Sequence, residues 1–286
     1  MPRDLHGRRP RMTVHEIQQH YSTSGIAERV LSAARGALGP GVAITPDALA
    51  AIDHFHGGGL AATRDLVAML APKKGERLLD IGSGIGGPAR WIAATFGCHV
   101  TGIDLTAEFC RAAETLNRAT GLEGQVRIVE GSALSLPFDG ASFDRAYSQN
   151  VVMNIEDKLA FYREALRVLR PGGSLALSNL AAGAAGPPHY PLPWAGTPDA
   201  SFLSTLDQTR LELAEAGFEI VRFEDTTTKT MVARKAMRER LESEGLPPLG
   251  MHVFMGERMR EYQINAALSM EEGRLASLEV LARKPA

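Results

Sequence analysis

The residues best suited to chemistry are carboxylates that close apolar runs. Asp80 ends the run that starts at Leu78 and is followed by Gly82, Gly84 and Gly86; Asp104 ends a second run, 98–103, and lies 24 residues after Asp80. Ser132 follows a third run, 125–130, and Gln149 lies at the end of a fourth, 145–150. A carboxylate two residues ahead of a glycine turn repels a pyrophosphate and welcomes an ammonium, so Asp80 and Gly82 point to a ligand with an amino-acid head rather than to a dinucleotide. The glycines are expected to bring main-chain N–H groups close to that ligand. His56, His189 and His252 are the candidate bases, because an imidazole titrates near working pH. The two cysteines, Cys98 and Cys110, have neither metal nor redox spacing.

These groups meet only if the chain alternates strand and helix. Apolar runs at 78–80, 98–104, 125–130 and 145–150 read as strands, with helices from Pro88, over 106–120 and over 156–169 between and after them. That alternation implies a parallel sheet with right-handed crossovers, whose ligands sit at the carboxyl ends of the strands. A helix over 206–216 stopped by Gly217, a strand at 218–224 and a last strand at 275–282 complete the pattern. Two helical stretches, 231–242 and 257–270, interrupt the final pair of strands.

The run LLDIGSGIGG, from Leu78, resembles motif I of the class I S-adenosylmethionine-dependent methyltransferases, and Gly102-Ile103-Asp104-Leu105 resembles the acidic strand end that follows it. Gly131-Ser132-Ala133 with LPFDGASFD is similar to the family's adenine-side loop, and LRPGGSLALS to its turn into the fifth strand. The resemblance implies an α/β Rossmann-like, seven-stranded, mostly parallel sheet with helices on both faces, an antiparallel last strand and a helical cap. It also implies S-adenosylmethionine as cofactor, held by Asp80, Gly82, Ser83, Gly84, Asp104, Leu105, Ser132, Ala133 and Gln149, with Asp104 accepting the ribose hydroxyls. Asp53-His54-Phe55-His56-Gly57-Gly58-Gly59 is similar to the DQxHxGGxxAT segment of bacterial small-molecule methyltransferases, including sarcosine and dimethylglycine N-methyltransferases; Gly58 would help to hold the cofactor's methionine end. Asp53, His54 and His56 also read as a capped helix with packed imidazoles, and no ligand cluster for a metal accompanies them. An NAD-binding oxidoreductase and a non-catalytic S-adenosylmethionine-binding protein are the alternatives.

Composition narrows the acceptor. The chain has 286 residues, 44% hydrophobic and 22% charged, with a net charge of -2. That charge gives no attraction for a phosphate backbone, so a small molecule rather than nucleic acid is expected. Absence of an apolar span, of a secretory h-region after the basic start and of disulfide spacing points to a cytoplasmic protein without a membrane partner; whether it is a monomer or a homodimer stays open at this level. Residues 1–50 read as a tail with helices, including one from Val14; 51–225 with 273–286 as the cofactor-binding core; and 226–272 as a helical cap. The segment Gln149 to Ile155 and the Pro-rich stretch PHYPLPWA face the acceptor in this reading, with Met153, Tyr190 and Trp194 as substrate contacts or core packing. A hydroxyl acceptor would need one of the histidines as base, whereas an amine needs only to arrive unprotonated. The two chemistries stay open at this level.

Overall fold

The computed structural model describes residues 25–286 apart from Pro40, Phe55 and Pro248, so the helix expected from Val14 lies outside the described residues. Three helices come first: α1 (Ile26–Leu38), α2 (Pro46–Asp53) and α3 (Gly59–Leu70). Next come β1 (Arg77–Ile81), α4 (Gly87–Phe96), β2 (His99–Asp104), α5 (Ala107–Ala119), β3 (Val126–Glu130), β4 (Phe143–Gln149) and α6 (Lys158–Val168). β5 (Leu169–Ala182), α7 (Leu206–Glu215) and β6 (Glu219–Asp225) precede α8 (Thr227–Ser243), α9 (His252–Met255), α10 (Met259–Glu271) and β7 (Leu275–Arg283).

The seven strands form one sheet in the order β3-β2-β1-β4-β5-β7-β6, parallel except for β7, which runs antiparallel to both β5 and β6. The expected α/β architecture is therefore present. Because successive side chains on a strand point to opposite faces, β1 divides the core. Leu78 packs with Leu66 of α3 and Ile92 of α4, while Leu79 and Ile81 pack with Phe161 of α6 and Leu213 of α7. Registers align the strand ends: Asp80 lies beside Gly102 on one side and Tyr147 on the other, and Asp104 beside Glu130. One boundary differs from the sequence reading. Pro171-Gly172-Gly173, expected as a turn, belongs to β5 itself, where Gly172 takes φ 75° and the pairing with β4 shifts register between Phe143 and Arg145.

Two satellite clusters flank the sheet. Ile26 and Val30 of α1, Leu49 and Ile52 of α2, and Phe254 of α9 close over Ile85 of the glycine turn. Met153, Leu180, Leu192, Trp194 and Met270 form the other, anchoring the Pro-rich stretch between β5 and α10. Arg238 of α8 joins Glu271 of α10 at 2.9 Å. Among the described residues no helix is long and apolar enough to cross a membrane.

A buried ion pair fixes α2 to α4. Arg90 donates to Asp53 at 2.9 Å and to Asn117 at 3.0 Å, and His54 Nδ1 lies 2.9 Å from the other Asp53 oxygen. Burial pushes the Asp53 carboxyl up, but the His54 hydrogen bond and the Arg90 charge hold it below its ordinary value. Removing one partner of such a pair leaves a buried charge uncompensated. Arg90→Ala is expected to cost about 3–5 kcal/mol in urea unfolding; a loss below about 1 kcal/mol would mean that the pair does not hold the helices together.

Candidate active site

The glycine turn between β1 and α4 is folded against the end of β2. Gly82 and Ser83 both donate to the Ile103 carbonyl, at 2.8 and 3.0 Å, and Gly84 donates to Asp104 Oδ2 at 2.8 Å. These three N–H groups, which the sequence reading directed at a ligand, are taken by β2 and shape the turn. Glycine is required at Gly82 because its φ is 82° and a Cβ there would overlap the Val151 side chain. Asp104 also receives the Thr106 N–H through Oδ1 at 2.9 Å.

A cavity of about 750 Å³ opens at the carboxyl ends of the strands. The turn supplies Asp80, Gly82, Ser83 and Gly84; the end of β2 supplies Asp104 and Leu105; Ser132 and Ala133 follow β3; Gln149 ends β4; and His56 enters from the segment ahead of α3. All ten were singled out in the sequence. Burial raises the pKa of Asp80 from 3.8 to about 7, the Tyr147 hydroxyl opposing and the Asp104 charge adding to the rise. Burial also raises Asp104, against the pull of the Thr106 and Gly84 N–H groups.

His56 belongs to a short relay. The Thr63 hydroxyl donates to Gln149 Oε1 at 3.2 Å and so accepts from His56 Nε2 at 3.1 Å, which places the imidazole proton on Nε2 and a lone pair on Nδ1. Burial, with the neighbouring His54, lowers its pKa to about 3, so the ring is neutral. Ser83 Oγ and Gln149 Nε2 are buried beside the cavity with no partner among the described residues.

The geometry is matched by comparison with known proteins. Residues 79–177 match the family described as a methyltransferase domain. The O-methyltransferase rstn1 of Aspergillus nomiae is 30% identical over 164 residues, which cover 57% of this chain and 73% of that protein. The chain belongs to the S-adenosylmethionine-dependent methyltransferases. Glycine/sarcosine/dimethylglycine N-methyltransferase of Actinopolyspora halophila is 31% identical to this methyltransferase over 186 residues, 65% of this chain and 32% of that one. The chain spans about a third of the length of the curated relatives that it matches first. A solved structure, the [4+2]-cyclase SpnF, is similar from end to end, with a TM-score of 0.68, 26% identity and coverage of 96% of this chain and 98% of that one.

Other residues marked in the sequence of this methyltransferase lie elsewhere. Gly58 caps the start of α3 and does not line the cavity. His189 is exposed on the Pro-rich stretch and lies 2.8 Å from Glu272, and His252 sits on α9; neither lines the cavity. Trp194 is 4% exposed among Leu192, Leu180 and Met270 and donates to Ser201 at 3.0 Å, while Met153 and Tyr190 pack into the same cluster. Burial of the indole has drawn this stretch into the core, so the three expected substrate contacts are packing residues outside the lining. The residue that carries the stretch into the cavity is Phe202, pinned by its N–H to the Met153 carbonyl at 2.8 Å. No local pattern singled it out. Asn150, at φ 54°, and Asn154 also line the cavity; a strained non-glycine residue after a strand end marks such sites, but it is visible only in the backbone.

The raised pKa of Asp80 sets a pH dependence. A carboxyl whose folded pKa lies above its unfolded value makes the folded state bind more protons, so stability falls as pH rises from about 4 to about 7, by up to about 4 kcal/mol. Asp80→Asn is expected to raise ligand-free stability at pH 8 and to remove that decline. Parallel pH profiles for variant and wild type in denaturant titrations would contradict the assignment.

Proposed function

We propose that this methyltransferase moves the methyl group of S-adenosylmethionine to a nitrogen or oxygen atom of a small-molecule acceptor. The observation that supports this reading best is the meeting of Asp80 and Asp104 in one cavity at the carboxyl ends of the strands. Asp104 is held there by the N–H groups of Gly84 and Thr106, with Leu105 and the Thr106 side chain also bonded to it. In this reading Asp104 takes the ribose hydroxyls and Asp80 faces the cofactor's ammonium. Ser83 Oγ and Gln149 Nε2 provide further unfilled polar contacts.

When bound, the cofactor supplies an electrophilic methyl on a sulfonium. The chain's own work is placement, exclusion of water and handling of one proton. Gln149, oriented by Thr63, Asn154 and Phe202 line the part of the cavity assigned to the acceptor. His56, neutral with a bare Nδ1, accepts a hydrogen bond from the acceptor and orients it; a pKa of about 3 makes it a poor store for a proton. Glu156 and Asp157 add negative charge to the lining, which favours cationic ligands and supports an amine acceptor that loses its proton to solvent before transfer. Residues 226–272 act as the cap in this reading, and two buried, unpaired cysteines suit the cytoplasm.

A second reading is cofactor binding without methyl transfer, favoured by the end-to-end likeness to a [4+2]-cyclase. Incubation with methyl-labelled S-adenosylmethionine and a panel of primary, secondary and phenolic metabolites separates the two. Label on an acceptor, abolished in Asp104→Ala together with about a hundredfold loss of S-adenosylhomocysteine affinity, is the expected result. Tight binding with no transfer to any acceptor supports the second reading.

A further inference from the structure

We infer that Arg234 and the start of α3 together form an oxyanion site beside the cavity, next to the lining residue His56, taking a carboxylate or phosphate group. Of the residues of α8, only Arg234 and Leu241 are buried. Arg238 on the same helix is paired with Glu242 and Glu271, but Arg234, 5% exposed, has neither ion pair nor hydrogen bond among the described residues, and its Nε is buried without a partner. Burial lowers its pKa to about 10, with no carboxylate near enough to oppose the shift. The guanidinium lies against Gly57, where any Cβ would overlap it.

Gly57 leads directly into α3, a helix of 12 residues whose N-cap, Gly58, offers no side-chain cap and whose first turn carries no acid. The Gly59 N–H is taken by the His56 carbonyl at 3.0 Å, and the positive end of the helix meets a buried cation with no carboxylate bonded to either among the described residues. Two such features repel each other and are costly to bury unless an anion completes the set. The nearby carboxylates are engaged elsewhere, Asp53 with Arg90 and His54, and Asp65 with Lys229 at 2.6 Å. His56, next to Gly57, is kept neutral partly by Arg234 and lines the cavity, so the site borders the proposed methyl-transfer centre. A guanidinium and helix N–H groups match an oxyanion, which has two sources here: the methionine carboxylate of the cofactor or an acidic group on the acceptor. The choice of source rests on the proposed function; the site itself does not.

Calorimetry on wild type and Arg234→Met tests this with S-adenosylhomocysteine, with 5′-methylthioadenosine, which lacks the amino-acid end, and with phosphate and acetate. A loss of about tenfold or more for S-adenosylhomocysteine, with methylthioadenosine unchanged, assigns the site to the cofactor carboxylate. Unchanged S-adenosylhomocysteine affinity, with loss of phosphate or acetate binding to its complex, assigns it to the acceptor. The thermal midpoint of ligand-free Arg234→Met is expected to equal or exceed that of wild type, since the variant removes an uncompensated charge. Equal affinity of both proteins for all four ligands overturns the inference, as does a drop in midpoint without any change in binding. If the wild type binds neither nucleoside, the proposed function fails, and the oxyanion site is then judged by whether Arg234→Met weakens phosphate or acetate binding to the ligand-free protein.

Discussion

Three successive main-chain donors, the N–H groups of Gly82, Ser83 and Gly84, end on the last two residues of β2. This contact folds the glycine turn over the neighbouring strand and brings Asp80 and Asp104 into one buried space, where the charge of one raises the pKa of the other. Two carboxylates held this way destabilise the ligand-free protein at neutral pH and are relieved by a ligand carrying positive charge and hydroxyl donors. Gly82 fits only because it has no Cβ to meet Val151. The pocket therefore follows from backbone hydrogen bonding and one steric requirement, and its affinity for a cationic nucleoside follows from the charges which that geometry forces together.

The parts of this arrangement that were legible in the sequence share a local cause. β1, β2 and the helices after them declare themselves by periodicity and by glycine and proline at their ends, and strand ends in a parallel sheet must converge, so Asp80, Asp104, Ser132 and Gln149 were legible as one site before any coordinates. What failed depended on contacts between distant segments. The Pro-rich stretch has the composition of a functional loop, yet Trp194 buries itself against Leu180 and Met270, and Phe202 reaches the cavity instead. His189 looked like a base and is an exposed partner of Glu272. The glycine N–H groups were assigned to a ligand; those of Gly82 and Gly84 bond to β2, and that of Gly86 to Ser83 within the turn. Arg234 sits in a run of mixed charges, and only packing distinguishes it from Arg238.

The division of labour along the chain follows from the same physics. The residues proposed to hold the cofactor cluster within 79–177, where the family match lies, because parallel strand ends are fixed by the sheet. The remaining elements, α1, α2 and α8 to α10, contribute apolar packing over Ile85 and the Pro-rich stretch. Outside the strand ends, Asp53 and His56 line the cavity from the segment ahead of α3 and Phe202 lines it after the Pro-rich stretch, while Arg234 lies beside His56 through its contact with Gly57. His56 and Phe202 are where the acceptor is selected in this account.

The central claim is that the crevice at Asp80 and Asp104 is a site for S-adenosylmethionine and not for a dinucleotide. Isothermal titration of the full chain with S-adenosylhomocysteine and, separately, with NAD addresses it directly. The account predicts saturable one-to-one binding of S-adenosylhomocysteine and no heat with NAD; saturable binding of NAD without binding of S-adenosylhomocysteine would contradict it.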